Sequence, residues 1–175
     1  MKNFQMLVLW ALAPFGVVAH AHAQVAASSP AAAATSPAPP MPYGMNINGD
    51  VAQKVMTAAE AEAAKNNWRM TFAIVDTSGN PIMFKMMTNA NFITRDVAIR
   101  KARTAAAFRV PTKSLADAAR AATSPTITQL LPEYLALEGG VPIVVGGQII
   151  GAIGASGARS YEDAQAAIRG IEAIQ

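Results

Sequence analysis

The spacing of apolar residues after residue 45 is first helical and then strand-like. Asn48 or Asp50 can cap a helix that runs to about Asn66, because apolar residues recur there at helical intervals. Residues 70–77 (MTFAIVDT) and 82–87 (IMFKMM) are short runs rich in large apolar residues, and they flank the turn sequence Ser-Gly-Asn-Pro. The pattern therefore predicts a helix followed by a β-hairpin.

Two helices are expected after this hairpin. The first opens at Thr94 and runs through Phe108, and Pro111 stops it because proline cannot continue a helix. The second is short and covers residues 112–122. A loop is expected around Pro125 and Pro132.

The last part of the chain predicts a second hairpin and a closing helix. Residues 141–145 and 148–155 read as strands on either side of Gly146-Gly147, a tight-turn signal. Residues 160–174 carry apolar residues on one helical face. The order of helix, hairpin, two helices, hairpin and helix argues for an antiparallel sheet flanked by helices, a single-domain α+β fold.

The N-terminus has the layout of a secretory signal peptide. Lys2 precedes an apolar run over residues 6–19, which is too short to span a bilayer, and Ala21-His22-Ala23 offers small residues at a cleavage site. We expect a signal peptide at 1–23, an Ala/Pro-rich linker at 24–44 and a folded domain at 45–175, in a secreted or periplasmic protein that has no membrane segment after cleavage.

Cleavage after Ala23 removes both histidines of the chain, His20 and His22, and the chain has no cysteine. These two histidines are therefore interpreted as part of the cleavage region and not as ligands. Their loss excludes a Ser-His-Asp triad, and the absence of cysteine excludes thiolate nucleophiles, cysteine-based zinc sites and iron–sulfur clusters. The formal charge of +3 is not accompanied by interleaved aromatic residues, so no nucleic-acid partner is expected.

Three local patterns have a structural and a functional interpretation. The glycines of residues 146–157 do not fit a nucleotide-binding loop, because Gly151 and Gly154 fall inside a predicted strand, where glycine lets a backbone or a flat ligand approach. Ser156 misses the G-x-S-x-G pattern, although a Ser–Lys arrangement with Lys101 is formally possible. Met83, Met86 and Met87 are expected to fill the core, and Asp96 with Arg100 to form a surface ion pair.

Several ordered motifs resemble those of the GlcG/HbpS family. They are Ala-Ile-Val-Asp-x-x-Gly at 73–79, the segment Asp96 to Phe108, Pro111-Thr112, Gly-Gly-Val-Pro-Ile at 139–143, and Gly-Ala-Ile-Gly-Ala-Ser-Gly at 151–157. The resemblance covers about residues 46–174 and implies a profilin-like antiparallel sheet and assembly into homo-oligomers. In the Gln-Asp-Glu-like stretch that often follows in the family, only Asp163 corresponds here.

Some members of the family bind haem, so the resemblance implies a tetrapyrrole or another small molecule as the partner. The candidate cofactor-binding residues are Arg95, Asp96, Lys101, Thr104, Phe108 and Pro142. Arginine or lysine could pair with the haem propionates. Without histidine or cysteine in the mature chain, an axial bond could come from a tyrosine, a methionine, Lys101 or a threonine, or be absent. We assign no catalytic residue and no protein metal site.

Two other functions remain open from the sequence. One is an enzyme acting on small oxygenated metabolites, with Asp96 and Lys101 as an acid–base pair. The other is a corrinoid-binding module, since a related domain accompanies corrinoid adenosyltransferases. A binding protein is the first expectation.

Overall fold

The computed structural model describes residues 38–175, so the expected signal peptide and most of the expected linker lie outside the described residues. The elements are α1 (Gly49–Lys65), β1 (Thr71–Val75), β2 (Pro81–Met86), α2 (Thr94–Phe108), α3 (Thr112–Ala121), α4 (Ile127–Leu130), β3 (Gly140–Val145), β4 (Gln148–Ser156) and α5 (Ser160–Glu172). No helix within residues 38–175 has both the length and the apolar character to cross a bilayer.

The four strands form one antiparallel sheet in the order β2-β1-β4-β3. Each predicted hairpin is present, and the two hairpins join where β1 pairs with β4 along the centre of the sheet. Gly146 and Gly147 both have positive φ angles, 57° and 77°, which the two-residue turn between β3 and β4 requires. The predicted α+β fold, with an antiparallel sheet flanked by helices, is confirmed.

Each face of the sheet packs on different helices. Phe72 and Ile74 of β1 and Ile153 of β4 belong to the larger core, which also contains the inner faces of α1 and α5. Ala73 and Val75 point to the other face and pack against the alanines of α2. Alternate side chains of β1 therefore pack against the helices on both faces of the sheet, and β1 is buried at every residue.

The glycines of β3 and β4 allow α2 to lie directly on the sheet. A Cβ atom at Gly154 would collide with the carbonyl oxygen of Ala98 and lie 2.6 Å from the amide nitrogen of Ala102. A Cβ at Gly140 would collide with the carbonyl of Lys101. The close approach expected at the strand glycines is therefore made by the backbone of α2.

Strand β2 is the least covered strand of the sheet. Ile82, Phe84 and Met86 are 39%, 42% and 37% exposed. Phe84 pairs with Ala73 and Met86 with Thr71, so the three side chains lie on the face that α2 covers farther along the sheet. The expected role of the methionines as core residues is wrong for Met86; Met83 is half-buried against the larger core and Met87 is buried.

Several boundaries differ from the sequence-based expectation. The side chain of Asn48, and not that of Asp50, caps α1 by accepting a 2.9 Å hydrogen bond from the Val51 amide. Helix α2 has the expected span Thr94–Phe108, but Arg109, whose φ of 59° is left-handed, caps its end before Pro111 is reached. Helix α4 replaces part of the expected loop, and a capping box between Thr126 and Gln129 begins it.

The last residues of the expected linker contact the folded domain. The amide of Gly44 donates to the carbonyl of Ile149 at 2.8 Å, and the amide of Ile149 donates to the carbonyl of Pro42 at 2.9 Å. The Tyr43 hydroxyl donates to the carbonyl of Ala106 at 2.8 Å, and the guanidinium of Arg109 lies 4.7 Å from the centre of the Tyr43 ring. The folded unit therefore includes residues before Met45.

Candidate functional site

An exposed apolar surface lies where β2 meets the start of α2. We call Ile82, Phe84 and Met86 the β2 face. The side chains of Thr94 and Thr71 share a 2.7 Å hydrogen bond, which brings the first residue of α2 next to the strand position that pairs with Met86. Just before Thr94, Phe92 is 78% exposed and Ile93 is 51% exposed. Large apolar side chains that water contacts are typical of surfaces that bind a ligand or a partner.

Arg95 and Asp96 stand in the first turn of α2, at the Met86 end of this surface. The guanidinium of Arg95 donates to Asp96 at 3.0 Å and 3.3 Å, and both side chains are exposed. The hydrogen bond to Arg95 lowers the pKa of Asp96, and Asp96 raises the pKa of Arg95. The expected pair of Asp96 with Arg100 is wrong, because Arg100 instead donates to the carbonyl of Tyr134 at 2.9 Å.

Lys101 lies on the buried side of α2 and forms an ion pair with Asp163 of α5. Its Nζ donates to a carboxylate oxygen of Asp163 at 2.7 Å and to the carbonyl of Ala155 at 3.0 Å. Only 1% and 3% of the two side chains are exposed. Burial lowers the pKa of Lys101 and raises the pKa of Asp163, and the attraction between the two charges opposes both shifts. The ammonium of Lys101 is therefore already bound within the protein.

Thr104 and Phe108 hold the segment that follows α4 onto α2. The Thr104 hydroxyl accepts a 2.8 Å hydrogen bond from the Leu135 amide and donates to the carbonyl of Arg100 at 2.7 Å. The ring of Phe108 packs edge-to-face on Tyr134, with 5.3 Å between the ring centres. Both residues fix a loop in place.

The six candidate cofactor-binding residues do not converge on one point. Arg95 and Phe108 are thirteen positions apart on α2, which corresponds to about 20 Å along a helix axis. Pro142 is buried in β3, opposite Ala152 of β4. Arg95 and Asp96 are on the surface beside the β2 face, Lys101 is inside, and Thr104 and Phe108 contact the loop. Within residues 38–175 no group of three His, Cys, Asp or Glu side chains could hold a metal ion.

A separate cleft of about 490 Å³ lies between the first hairpin turn, α2 and the loop after α4. Asp76 holds the turn by accepting hydrogen bonds from the amides of Ser78 and Asn80, both at 2.8 Å, and from the side chain of Asn80 at 3.0 Å. Although burial alone would raise the pKa of Asp76, these hydrogen bonds outweigh it and hold the pKa below its usual value. The turn that forms one wall of the cleft is therefore held by hydrogen bonds to an ionised carboxylate.

Sequence analysis names Asp163 only through the family resemblance and does not pair it with Lys101. The helical spacing around each of the two residues does indicate that it is buried. Lys101 is three positions after Ala98 and four before Ala105, and Asp163 is four before Ala167, so each charge shares a face with buried alanines. A charged residue in the middle of an apolar helical face requires a buried partner.

The fold and these surfaces define a class: a single-domain α+β protein whose antiparallel sheet has α1 and α5 on one face and α2 on the other, with the edge strand β2 exposed on the α2 side. The family model described as "Haem degrading protein HbpS-like" matches residues 47–172, and the chain belongs to this family. The suggested GlcG/HbpS membership is thus confirmed.

Individual relatives agree with this assignment. The chain is 37% identical to Protein GlcG of Escherichia coli strain K12 over 110 residues, which are 63% of this chain and 81% of GlcG. A double mutant of HbpS from Streptomyces reticuli has a similar structure, with a TM-score of 0.70, 30% identity, and coverage of 85% of this chain and 99% of HbpS. A PduOC:haem complex is similar at a TM-score of 0.70 and 25% identity, covering 75% of this chain and 96% of PduOC.

Proposed function

We propose that this domain binds haem, or a tetrapyrrole of the same shape, on the β2 face. The observation that carries the proposal is the row of three large apolar side chains that no helix of residues 38–175 covers, beside Phe92, Ile93 and the exposed Arg95. The family description and the haem complex of a similar structure support the choice of ligand.

The physical fit follows from the shape and charge of the ligand. A porphyrin is flat and largely apolar, and the β2 face is a flat strand surface with alternate side chains pointing outward. Covering a few hundred Å² of apolar area contributes several kcal/mol at roughly 25 cal/mol per Å². Arg95 can donate two parallel hydrogen bonds to a carboxylate, and a propionate would compete for it with the solvent-exposed Asp96.

In the mature chain that signal cleavage would leave, haem iron has neither a histidine nor a cysteine as a ligand. The chain has no cysteine, and neither histidine lies after residue 22. On the β2 face, Met86 is 37% exposed and carries a thioether, whereas Lys101 is bound to Asp163. Haem would therefore be held by apolar contact, by Arg95 and at most by a weak sulfur or oxygen ligand, and its ferric spectrum should be high-spin or weak-field.

Titration of the mature, untagged protein with ferric haem tests the proposal, because a histidine tag would supply an imidazole. A saturable change in the Soret band is expected. Phe84→Ser should weaken binding by about tenfold or more, since it removes a ring from the centre of the face. Ile168→Ser is the matched control, because Ile168 is 45% exposed on α5 and away from β2. No Soret change, or an equal loss in both variants, would reject the β2 face.

The acid–base alternative is less well supported by the geometry. Asp96 and Lys101 are five positions apart on α2, and one side chain is exposed while the other is buried against Asp163. They cannot act on one substrate atom in this arrangement. Binding is therefore proposed without a catalytic step.

A further inference from the structure

We infer that the 490 Å³ cleft beside the first hairpin is a second, independent binding site for a small monocarboxylate that carries hydroxyl groups. It lies in the volume range of small-molecule sites, and it is bounded by Ser78 and Gly79 of the turn, Arg103 of α2, and Glu133 and Tyr134 of the loop. The inference does not depend on haem binding.

Two walls of the cleft, the turn and the loop, are held in place by residues outside it, and the third wall is the surface of helix α2. Asp76 ties the turn from behind, as described above. Arg103 and Ala107 stand one turn apart on α2, so they form one continuous strip of helix surface. Tyr134 is held through its carbonyl by Arg100 and through its ring by Phe108. A site with walls held in this way needs little reordering when a ligand enters.

The side chain of Arg103 favours an anionic ligand in the cleft. Its Nε donates to the carbonyl of Gly79 at 3.2 Å, which anchors the guanidinium at the wall. No carboxylate of residues 38–175 lies within ion-pair distance of it, unlike Arg95, Arg120 and Arg169, which all have acidic partners. Its terminal nitrogens therefore keep donors for a ligand carboxylate, which a guanidinium binds with two parallel hydrogen bonds.

The remaining lining selects the rest of the ligand. Among residues 38–175 the Tyr134 hydroxyl and the Ser78 hydroxyl make no hydrogen bond to another side chain or backbone group, so both are free to bind a ligand hydroxyl. Glu133 can accept from a ligand hydroxyl but would repel a second carboxylate. One carboxylate and one or more hydroxyls match this set, and the polar walls do not suit a porphyrin.

The test is a titration of the 15N-labelled wild-type protein with glycerate, followed by backbone amide shifts. Saturable shifts confined to Ser78, Gly79 and Tyr134 and their neighbours are expected. Propionate, which lacks hydroxyls, and succinate, which adds a carboxylate, should both bind several-fold more weakly. Shifts that do not saturate at millimolar glycerate, or that map elsewhere, overturn the inference.

Variants separate the cleft from general charge effects. Arg103→Met should weaken glycerate binding about tenfold or more, because it removes charged hydrogen bonds to the carboxylate. Arg69→Met removes an exposed arginine outside the cleft and should leave affinity unchanged. Glu133 is exposed, so Glu133→Gln should leave the fold intact. Because it removes the charge that repels a second carboxylate, it should reduce the ratio of the succinate Kd to the glycerate Kd. An equal loss in the two arginine variants, or an unchanged preference in Glu133→Gln, contradicts the site.

Discussion

At the scale of single residues, the buried ion pair of Lys101 and Asp163 removes two charges from water. Asp163 also accepts a 3.0 Å hydrogen bond from the Ala158 amide, so the pair connects α2, the end of β4 and the start of α5. Two charges removed from water repay their desolvation only while both are present and well bonded. Removing one of the two charged side chains should therefore destabilise the fold more than replacing both with apolar residues.

A double-mutant cycle measures this dependence. Lys101→Met should destabilise the domain by roughly 3–5 kcal/mol, because it leaves the Asp163 carboxylate buried without a counter-charge. Lys101→Met combined with Asp163→Leu should be more stable than Lys101→Met alone. Urea unfolding of the wild type, both single variants and the double variant gives the coupling. Additive losses would mean that the two charges do not interact.

The sequence places these two residues only in part. Their helical register beside alanines indicates burial, but the partner of each depends on which helices meet at the end of the sheet. That meeting joins Lys101 to Asp163 across 62 positions, which no local pattern contains. The same limit explains the candidate cofactor site. The sequence places Arg95, Asp96, Thr104 and Phe108 on one helix, α2, but does not show that they contact different neighbours.

At the scale of elements, the contact between α2 and β4 depends on a strand residue without a side chain. Gly154→Ala should destabilise the domain by about 1–3 kcal/mol or more, because the new methyl group meets the α2 backbone at Ala98 and Ala102, which cannot rotate away. Gly49→Ala is the matched control: nothing lies within 4 Å of its added Cβ, and it should be neutral or slightly stabilising. Thermal or urea unfolding compares them, and equal stability of the two variants would contradict the close packing of α2.

Elements differ in how far the pattern of the chain predicts them. The span of α2 from Thr94 to Phe108 is confirmed, since its start and its apolar period are both local. The expected loop is wrong at α4, where the Thr-x-x-Gln capping signature of Thr126 and Gln129 begins a helix. The exposure of β2 is not local information: its apolar sequence suits a central strand equally well, and only the strand order makes it an edge.

At the scale of the whole molecule, we propose that the protein is exported and that a signal peptide is removed after Ala23. Mass spectrometry of the exported protein should find Gln24 at the N-terminus, because Ala21 and Ala23 fit the small-residue positions of a cleavage site. Ala23→Lys should block or shift processing, and Ala26→Lys, beyond the site, should affect it less. An exported chain that still begins at Met1 would refute cleavage.

The strand order also affects the folding rate of the domain. Each hairpin pairs residues close in the chain, but the central pairing joins Thr71 to Ser156 across β2, α2, α3, α4 and β3. Closing so long a loop loses chain entropy before any β1–β4 contact compensates for it. We therefore expect a folding rate limited by β1–β4 pairing, with the hairpins able to form earlier, as topologies with many distant contacts fold more slowly.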